Sequence, residues 1–289
     1  MKEGKKMLGI VDVGGGIRGV YSSGIYDAFL DNGFRADYCL GVSAGAANLI
    51  TYIAGQRGRT LTFYHEYFMR KDLLGIENFL KKGSFLNLDY LYGTLSNEGG
   101  ENPLDFDTAM ASDTIFRLVI TRAEDGKACY IDKSKFVKND YVYLKATCCL
   151  PLVCKPVNID GKDYYDGGIS DPIPYRKALE DGCDKLIVIL TKPRKDYLLP
   201  MEYLPLLRRF NLRYPEVLHQ SETMHRRNAE ALKELEKLEK EGKVIIAEPE
   251  DCFGMKTLTK DTDAVLKMYY QGYEKGMEII RNAEFGMRN

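Results

Sequence analysis

The sequence lacks tryptophan and any apolar run long enough to cross a membrane, and its formal net charge is only -1 over 289 residues. The missing run argues against a membrane-spanning helix. Residues 1–13 have neither the apolar length nor the cleavage pattern of a signal peptide. We therefore expect a cytoplasmic protein whose membrane contact, if any, is peripheral, at the inner membrane surface. The near-zero charge argues against nucleic acid as a partner, and the oligomeric state stays open.

Cysteine pairs with metal-site spacing are also missing. The seven cysteines include no C-x-x-C pair, and most lie in apolar stretches, which predicts buried free thiols. Cys148, Cys149 and Cys154 lie close together in the sequence, but adjacent cysteines are an awkward pair of metal ligands and no histidine is nearby. We therefore expect no metal site there.

The composition, 45% hydrophobic and 29% charged, is that of a soluble globular protein with ample material for a core. Apolar stretches at residues 7–13, 115–121 and 185–191 predict buried strands, with helical stretches between them. This alternation predicts an α/β three-layer sandwich with a largely parallel central sheet. Residues 193–200 mark a boundary between a first domain, residues 1–195, and a mainly helical C-terminal extension, residues 196–289, packed on it.

A G-x-S-x-G pentapeptide at residues 41–45 lies between a short apolar stretch and a helical one. A serine on such a tight strand-to-helix turn is forced into a strained backbone, which exposes its hydroxyl for attack on a carbonyl. Gly41 and Gly45 allow the sharp turn around Ser43 because they carry no side chain. The pentapeptide alone is a moderate signal, since it also arises by chance in glycine-rich proteins.

A second glycine motif, G-x-G-x-x-G, spans residues 14–19 between a predicted strand and a predicted helix. It is typical of dinucleotide binding, which also needs a carboxylate at the end of the second strand. Asp37 begins that strand, and the Ser43 turn occupies its end, which weighs against a nucleotide. The alternative is that backbone N–H groups of the loop face a developing oxyanion, with Arg18 as a nearby positive charge.

A nucleophilic serine needs a proton acceptor, and the chain has only three histidines. His65 lies in an aromatic helical stretch, while His219 and His225 lie beside two arginines and on different helix faces. None has the expected setting of a catalytic histidine. Asp166 does, because it follows a predicted strand and precedes two glycines, and burial would raise its pKa toward that of a useful base.

The three motifs, taken in order, resemble the patatin-like phospholipase family over about residues 8–191. These are G-G-G-x-R-G, G-x-S-x-G and D-G-G, and the segments Leu150-Pro151 and Asp171-Pro172-Ile173-Pro174 are also similar to the family. The resemblance is best to YjjU-like bacterial members with a C-terminal extension. One departure is Val13, where patatins often carry an acidic residue; Asp12 precedes it, and the backbone N–H groups do not need that side chain.

The resemblance implies a role for each motif residue. Ser43 would be the nucleophile and Asp166 the general base of a Ser-Asp dyad. The oxyanion site would be lined by Gly14, Gly15, Gly16 and Arg18. The remaining motif positions, which would shape the turns, are Gly19, Gly41, Gly45, Gly167 and Gly168.

The resemblance further implies a serine acyl hydrolase acting on lipid carboxylic esters: phospholipids, lysophospholipids or acylglycerols. The reaction would require no metal or organic cofactor. A non-catalytic acyl-lipid-binding protein and, less favoured, a nucleotide-binding protein remain as alternatives. Residues 197–214 interleave apolar, aromatic and arginine side chains, so we expect a lip of the acyl cleft, a contact with a membrane surface, or a connection packed on the first domain.

Overall fold

The computed structural model describes residues 6–201, 203–209 and 213–286. The strands are β1 (Leu8–Asp12), β2 (Tyr38–Val42), β3 (Ile115–Arg122), β4 (Ala128–Asp132), β5 (Val157–Ile159), β6 (Lys162–Asp166), β7 (Lys185–Ile189) and β8 (Val244–Ala247). The helices are α1 (Val20–Asp31), α2 (Ala44–Ile53), α3 (Arg59–Thr62), α4 (Ile76–Lys82), α5 (Phe106–Ala111), α6 (Val142–Thr147), α7 (Tyr175–Glu180), α8 (Leu204–Arg209), α9 (Pro215–Lys240) and α10 (Thr262–Gly286).

The described strands form one sheet whose central part is parallel, in the order β3, β2, β1, β7 and β8. Successive residues of a strand point to opposite faces. Accordingly, Ile10 packs in one core cluster with α1, α2 and α10, while Val11 packs in a second cluster with α7 and α9. This arrangement confirms the predicted α/β architecture with a largely parallel sheet between helical layers.

The edge of β3 explains how the ends of two distant strands meet. Val119 pairs with Val42 of β2 and with β4, and Ile120 pairs with Asp166 of β6 and again with β4. Each strand has only two edges. Because β4 pairs along one edge of β3, β2 and β6 both pair along the other edge. They run in opposite directions along it, and their carboxyl ends therefore face each other.

The Asp160-Gly161 turn joins β5 to β6, and both residues have positive φ, at 51° and 79°, as a tight hairpin turn requires. The aromatic stretch around His65, expected to be helical, consists of the short α3 followed by a π-helical turn, Phe63–Tyr67. None of the described helices is long and apolar enough to cross a bilayer.

The described residues beyond 195 are mainly helical, and they also add β8 to the sheet beside β7. Helix α10 lies directly against α1. An added Cβ on Gly24 would lie 2.0 Å from the carbonyl oxygen of Tyr269, and one on Gly272 would lie 1.9 Å from that of Tyr21. The two helix backbones can approach this closely only because these positions are glycine. The division at residue 195 stays a prediction.

We predict that Gly24→Ala lowers the free energy of unfolding by about 1–3 kcal/mol or more, because backbone atoms cannot move aside as a side chain would. The matched control is Gly93→Ala, at a position where an added Cβ meets nothing within 4 Å. Chemical denaturation of both variants measures the difference. Equal stability of Gly24→Ala and the unmodified protein would contradict the close packing of α1 and α10.

Candidate active site

Ser43 lies on the turn between β2 and α2 with φ 54° and ψ -132°. A positive φ is unfavourable for a residue with a side chain, so the surrounding structure must hold it. The Ser43 N–H donates to Thr147 Oγ1 at 2.9 Å, and that hydroxyl donates to the Val119 carbonyl at 2.6 Å. A Cβ on Gly41 would lie 2.3 Å from Ala46 Cα. The turn at Ser43 thus requires glycine at position 41, and Thr147 connects it to β3.

Asp166 ends β6 and is only 3% exposed. Its Oδ1 accepts a hydrogen bond from Gly168 N at 2.8 Å, and its backbone carbonyl accepts one from Thr121. A Cβ on Gly167 would lie 2.2 Å from the Val119 carbonyl oxygen, so the chain here packs directly on β3. Asp166 Oδ2 is buried and has no hydrogen-bond partner among the described residues. Oδ1 therefore fixes the position of the carboxylate, and Oδ2 has no hydrogen-bond donor among the described residues.

Burial raises the pKa of Asp166 to about 7, and the Ser43 hydroxyl and the Gly168 N–H oppose that rise. The Ser43 hydroxyl therefore lies close to the carboxylate, although it does not reach the geometry of a hydrogen bond to Oδ2. Catalytic hydrogen bonds are often long in unliganded sites and tighten when substrate binds. A carboxyl group with this pKa can accept a proton near neutral pH.

The loop at residues 14–16 has an unusual backbone, with φ of 67°, 133° and 61°. Only glycine adopts such a run of positive φ readily. The Gly14 N–H donates to Asp12 Oδ1 at 2.9 Å. The N–H groups of Gly15 and Gly16 have no partner among the described residues. These two groups, rather than that of Gly14, are the ones available to an oxyanion.

Asp12 is a residue that the sequence argument left without a role. It is fully buried and accepts hydrogen bonds from Gly14 N and from the Tyr26 hydroxyl, each at 2.9 Å. Burial raises the pKa of Asp12 to about 6. A Cβ on Gly45 would lie 2.5 Å from Asp12 Oδ1, so this carboxyl group contacts both the glycine loop and the serine elbow. The sequence signal that could have identified Asp12 is a single acidic residue in an otherwise apolar strand.

The predicted residues of the three motifs meet at one cavity of about 470 Å³. Ser43, Asp166, Arg18 and the glycines of residues 14–16 line it, together with Gly168. The other motif glycines, Gly19, Gly41, Gly45 and Gly167, do not line it, and Gly41, Gly45 and Gly167 lie at close backbone approaches beneath it. The structure therefore brings together residues that are far apart in the sequence.

Ser43 and Gly16 also line a second, smaller pocket of about 70 Å³. Its walls are mainly apolar and include Phe63, Leu88 and Leu91. The larger cavity carries charged side chains, namely Arg18, Lys192, Lys256, Asp196 and Asp166. Ser43 thus lies where an apolar pocket meets a polar cavity.

The three histidines lie elsewhere. His219 and His225 line a separate groove beside α8 and α9, and His65 lies on the π-helical turn; none lines either cavity next to Ser43. Within the described residues, no group of three or more His, Cys, Asp or Glu side chains is arranged to hold a metal ion. All seven cysteines are free thiols. Four of them are buried as predicted, whereas Cys129, Cys148 and Cys252 are partly exposed. Asp166, in contrast to the histidines, lines the larger cavity together with Ser43.

This combination of a parallel sheet, a strained serine between strand and helix, and a glycine loop beside it is the arrangement of an α/β protein with a serine-elbow site. A family model described as patatin-like phospholipase matches residues 13–179, and the chain belongs to that family. A second model, a domain of unknown function (DUF6363), matches residues 214–284.

Two known proteins resemble the chain to different extents. It is 31% identical over 198 residues to the uncharacterized protein YjjU of Escherichia coli K12, an alignment that covers 67% of this chain and 54% of that protein. The chain thus spans about half the length of this curated relative. It is also similar to the crystal structure of VipD from Legionella pneumophila, with 12% identity and a TM-score of 0.48, over 96% of this chain and 67% of that one.

We predict that Asp166→Asn is more stable than the unmodified protein above pH 7. The folded-state pKa of about 7 lies above the usual value of 3.8, so stability present below pH 4 is lost as the pH rises through 7. Removing the ionisable group should recover about 1–4 kcal/mol at pH 8 and much less at pH 5.

Thermal unfolding at several pH values measures this difference. Asp113→Asn serves as the control, because it removes a carboxylate that is exposed. A buried carboxyl group with a raised pKa is excluded if Asp166→Asn is no more stable than the unmodified protein at pH 8.

Proposed function

We propose that this protein hydrolyses carboxylic esters of lipids through an acyl-enzyme on Ser43, with Asp166 as the general base. The observation that carries the proposal is the open, buried Oδ2 of Asp166 beside a strained serine. Both residues line the cavity that Gly15 and Gly16, whose N–H groups have no partner among the described residues, also line. A binding protein has no need for such a base, nucleophile and oxyanion site in one place.

In the first half of the reaction, Asp166 accepts the proton of the Ser43 hydroxyl as its oxygen attacks the ester carbonyl. A pKa of about 7 makes the carboxylate a stronger base than an exposed aspartate, and about half of it is still ionised at neutral pH. The carbonyl oxygen becomes an oxyanion, which the N–H groups of Gly15 and Gly16 stabilise. Arg18 adds a positive charge nearby, and Gly14 serves the loop through its bond to Asp12.

The oxyanion then collapses, and the alcohol leaves with the proton from Asp166, which completes the acyl-enzyme. Water then attacks the acyl-enzyme while Asp166 takes one of its protons. The same oxyanion site serves this step, because the charge develops on the same oxygen. Collapse releases the fatty acid and returns the proton to Ser43. Every proton therefore moves between groups that line the one cavity.

The two spaces beside Ser43 favour a lipid with an acyl chain on one side and a charged alcohol on the other. The apolar pocket suits the acyl chain. The polar cavity is lined by Arg18, whose guanidinium is always charged. A fixed positive charge there favours an alcohol that carries a phosphate. We therefore infer that phospholipids or lysophospholipids are preferred over acylglycerols.

We expect Ser43→Ala to abolish labelling by a fluorophosphonate probe and to reduce ester hydrolysis by at least about 1000-fold, since loss of the nucleophile removes the covalent step. Asp166→Asn, which retains the nucleophile Ser43 but lacks the base, should lose most of the ester turnover. Asp113→Asn again serves as a folded control. If the folded, unmodified protein is not labelled at all, the serine hydrolase mechanism is excluded.

The pH dependence follows from the same base. In the unmodified protein, kcat/KM should fall as the pH decreases through about 7, because protonated Asp166 cannot accept the serine proton. Full turnover by Asp166→Asn would refute the dyad while leaving Ser43 as the nucleophile.

We also propose that the segment formed by residues 197–201 and 203–209 is a lip of the cavity that touches a lipid surface. Leu199, Pro200 and Met201 line the cavity. Leu198, Leu199 and Leu206 are 49%, 62% and 51% exposed. Arg208 pairs with Glu222 at 2.7 Å, so apolar contact is the better basis for insertion. Residues 202 and 210–212 of the originally predicted stretch lie outside the described residues.

Flotation with phospholipid vesicles tests this lip. The double variant Leu198→Asp/Leu206→Asp should float several-fold less than the unmodified protein, because charged side chains resist transfer into the interface. The matched control is Val137→Asp, which changes another exposed apolar residue, 59% exposed, away from the cavity. A triple Arg208/Arg209/Arg213→Ala variant measures any electrostatic share. Unchanged flotation of the leucine variant would remove the lip from the membrane contact.

A further inference from the structure

The segment between β8 and α10 contributes to both spaces beside Ser43. Met255, Lys256 and Thr257 line the polar cavity, and Leu258 lines the apolar pocket. All four belong to the region matched by the domain of unknown function, residues 214–284. The C-terminal region is therefore part of the wall around the nucleophile.

Thr257 makes the contacts that reach the glycine loop. Its carbonyl oxygen accepts a hydrogen bond from Ile17 N at 3.0 Å. Its hydroxyl accepts one from Arg18 Nη2 at 3.3 Å, across 239 residues of sequence. An added Cβ on Gly16 would lie 2.2 Å from the Thr257 carbonyl oxygen. Glycine at position 16 is thus required by a segment near the other end of the chain.

The loop needs support on both sides. A run of positive φ gives it no intrinsic preference for one conformation, and Gly15 and Gly16 must direct their N–H groups at a single point. Asp12 holds the near side through the Gly14 N–H at 2.9 Å. Thr257 holds the far side through the next residues, Ile17 and Arg18. The two free N–H groups lie between these fixed points.

The segment is itself well anchored. The Lys260 ammonium donates to the carbonyl oxygens of Met69, Arg70 and Leu74 at 3.3, 3.1 and 3.3 Å. The Tyr269 hydroxyl donates to Asp27 Oδ2 at 2.8 Å, which adds to the close packing of α10 on α1. The segment therefore has a defined position from which to hold the loop.

We propose that the C-terminal region supports the oxyanion loop, and that Thr257 is a positioning residue that acts through Arg18. This inference rests on the proposed function, because it assigns the loop its oxyanion role. Under this proposal, the region matched by the domain of unknown function completes the active site of this chain. The hydroxyl of Thr257 keeps the guanidinium of Arg18 directed at the cavity, while its carbonyl keeps the Ile17 peptide in register.

The test compares Thr257→Val with Thr257→Ser. Valine keeps the shape and the backbone carbonyl but removes the hydroxyl, whereas serine restores the hydroxyl. With a short-chain ester, Thr257→Val should lower kcat and the rate of fluorophosphonate labelling by about 3- to 10-fold, the range expected for one ordinary hydrogen bond. KM and the midpoint of thermal unfolding should not change. Thr257→Ser should recover nearly full activity.

Thr259→Val is the matched control, because it removes the neighbouring hydroxyl that accepts from Lys256 N at 2.9 Å and lines neither cavity. It should label at the normal rate. An Arg18→Met background supplies the second check: if Thr257 acts through Arg18, Thr257→Val should have little further effect there.

The inference would be overturned by a Thr259→Val loss equal to that of Thr257→Val, or by a full effect of Thr257→Val in the Arg18→Met background. Failure of the unmodified protein to label would instead refute the proposed function. Normal labelling with an unaffected Thr257→Val would refute this inference alone.

Discussion

The proposed active site depends on two strands that end face to face on one edge of β3. Strand β2 ends at Val42, opposite Val119, and β6 ends at Asp166, opposite Ile120. A serine that follows the first strand and a carboxylate that closes the second are thereby held together by backbone hydrogen bonds. Neither residue depends on a flexible loop for its position, which is the form of support that a preorganised site needs.

Two buried carboxyl groups divide the work around this junction. Asp12 ends β1 and holds the glycine loop, while Asp166 ends β6 and faces the serine. Burial raises the pKa values of both, to about 6 and about 7. Each has hydrogen bonds from neighbouring backbone N–H groups that offset part of the desolvation. The fold therefore carries strain and buried polar groups where chemistry is proposed, as functional sites commonly do.

The division of the chain into a family domain and a C-terminal region does not coincide with a division of the site. The family model covers residues 13–179, yet Thr257 hydrogen-bonds to Ile17 and Arg18. Strand β8 extends the same sheet, and α10 packs on α1. These contacts were beyond sequence reasoning, because nothing local to residues 255–260 marks them as neighbours of a loop near the other end of the chain. The same holds for Thr147 behind Ser43.

The sequence by itself determined the α/β class, the family resemblance and the residues proposed for catalysis, because each depends on local signals. Alternating apolar strands predict the sheet, and glycine spacing predicts turns that only glycine can form. Tertiary structure decided which N–H groups are free, since Asp12 takes that of Gly14. It also decided the pKa of Asp166. Both depend on burial and on partners that lie in other strands, and sequence spacing carries no information about either.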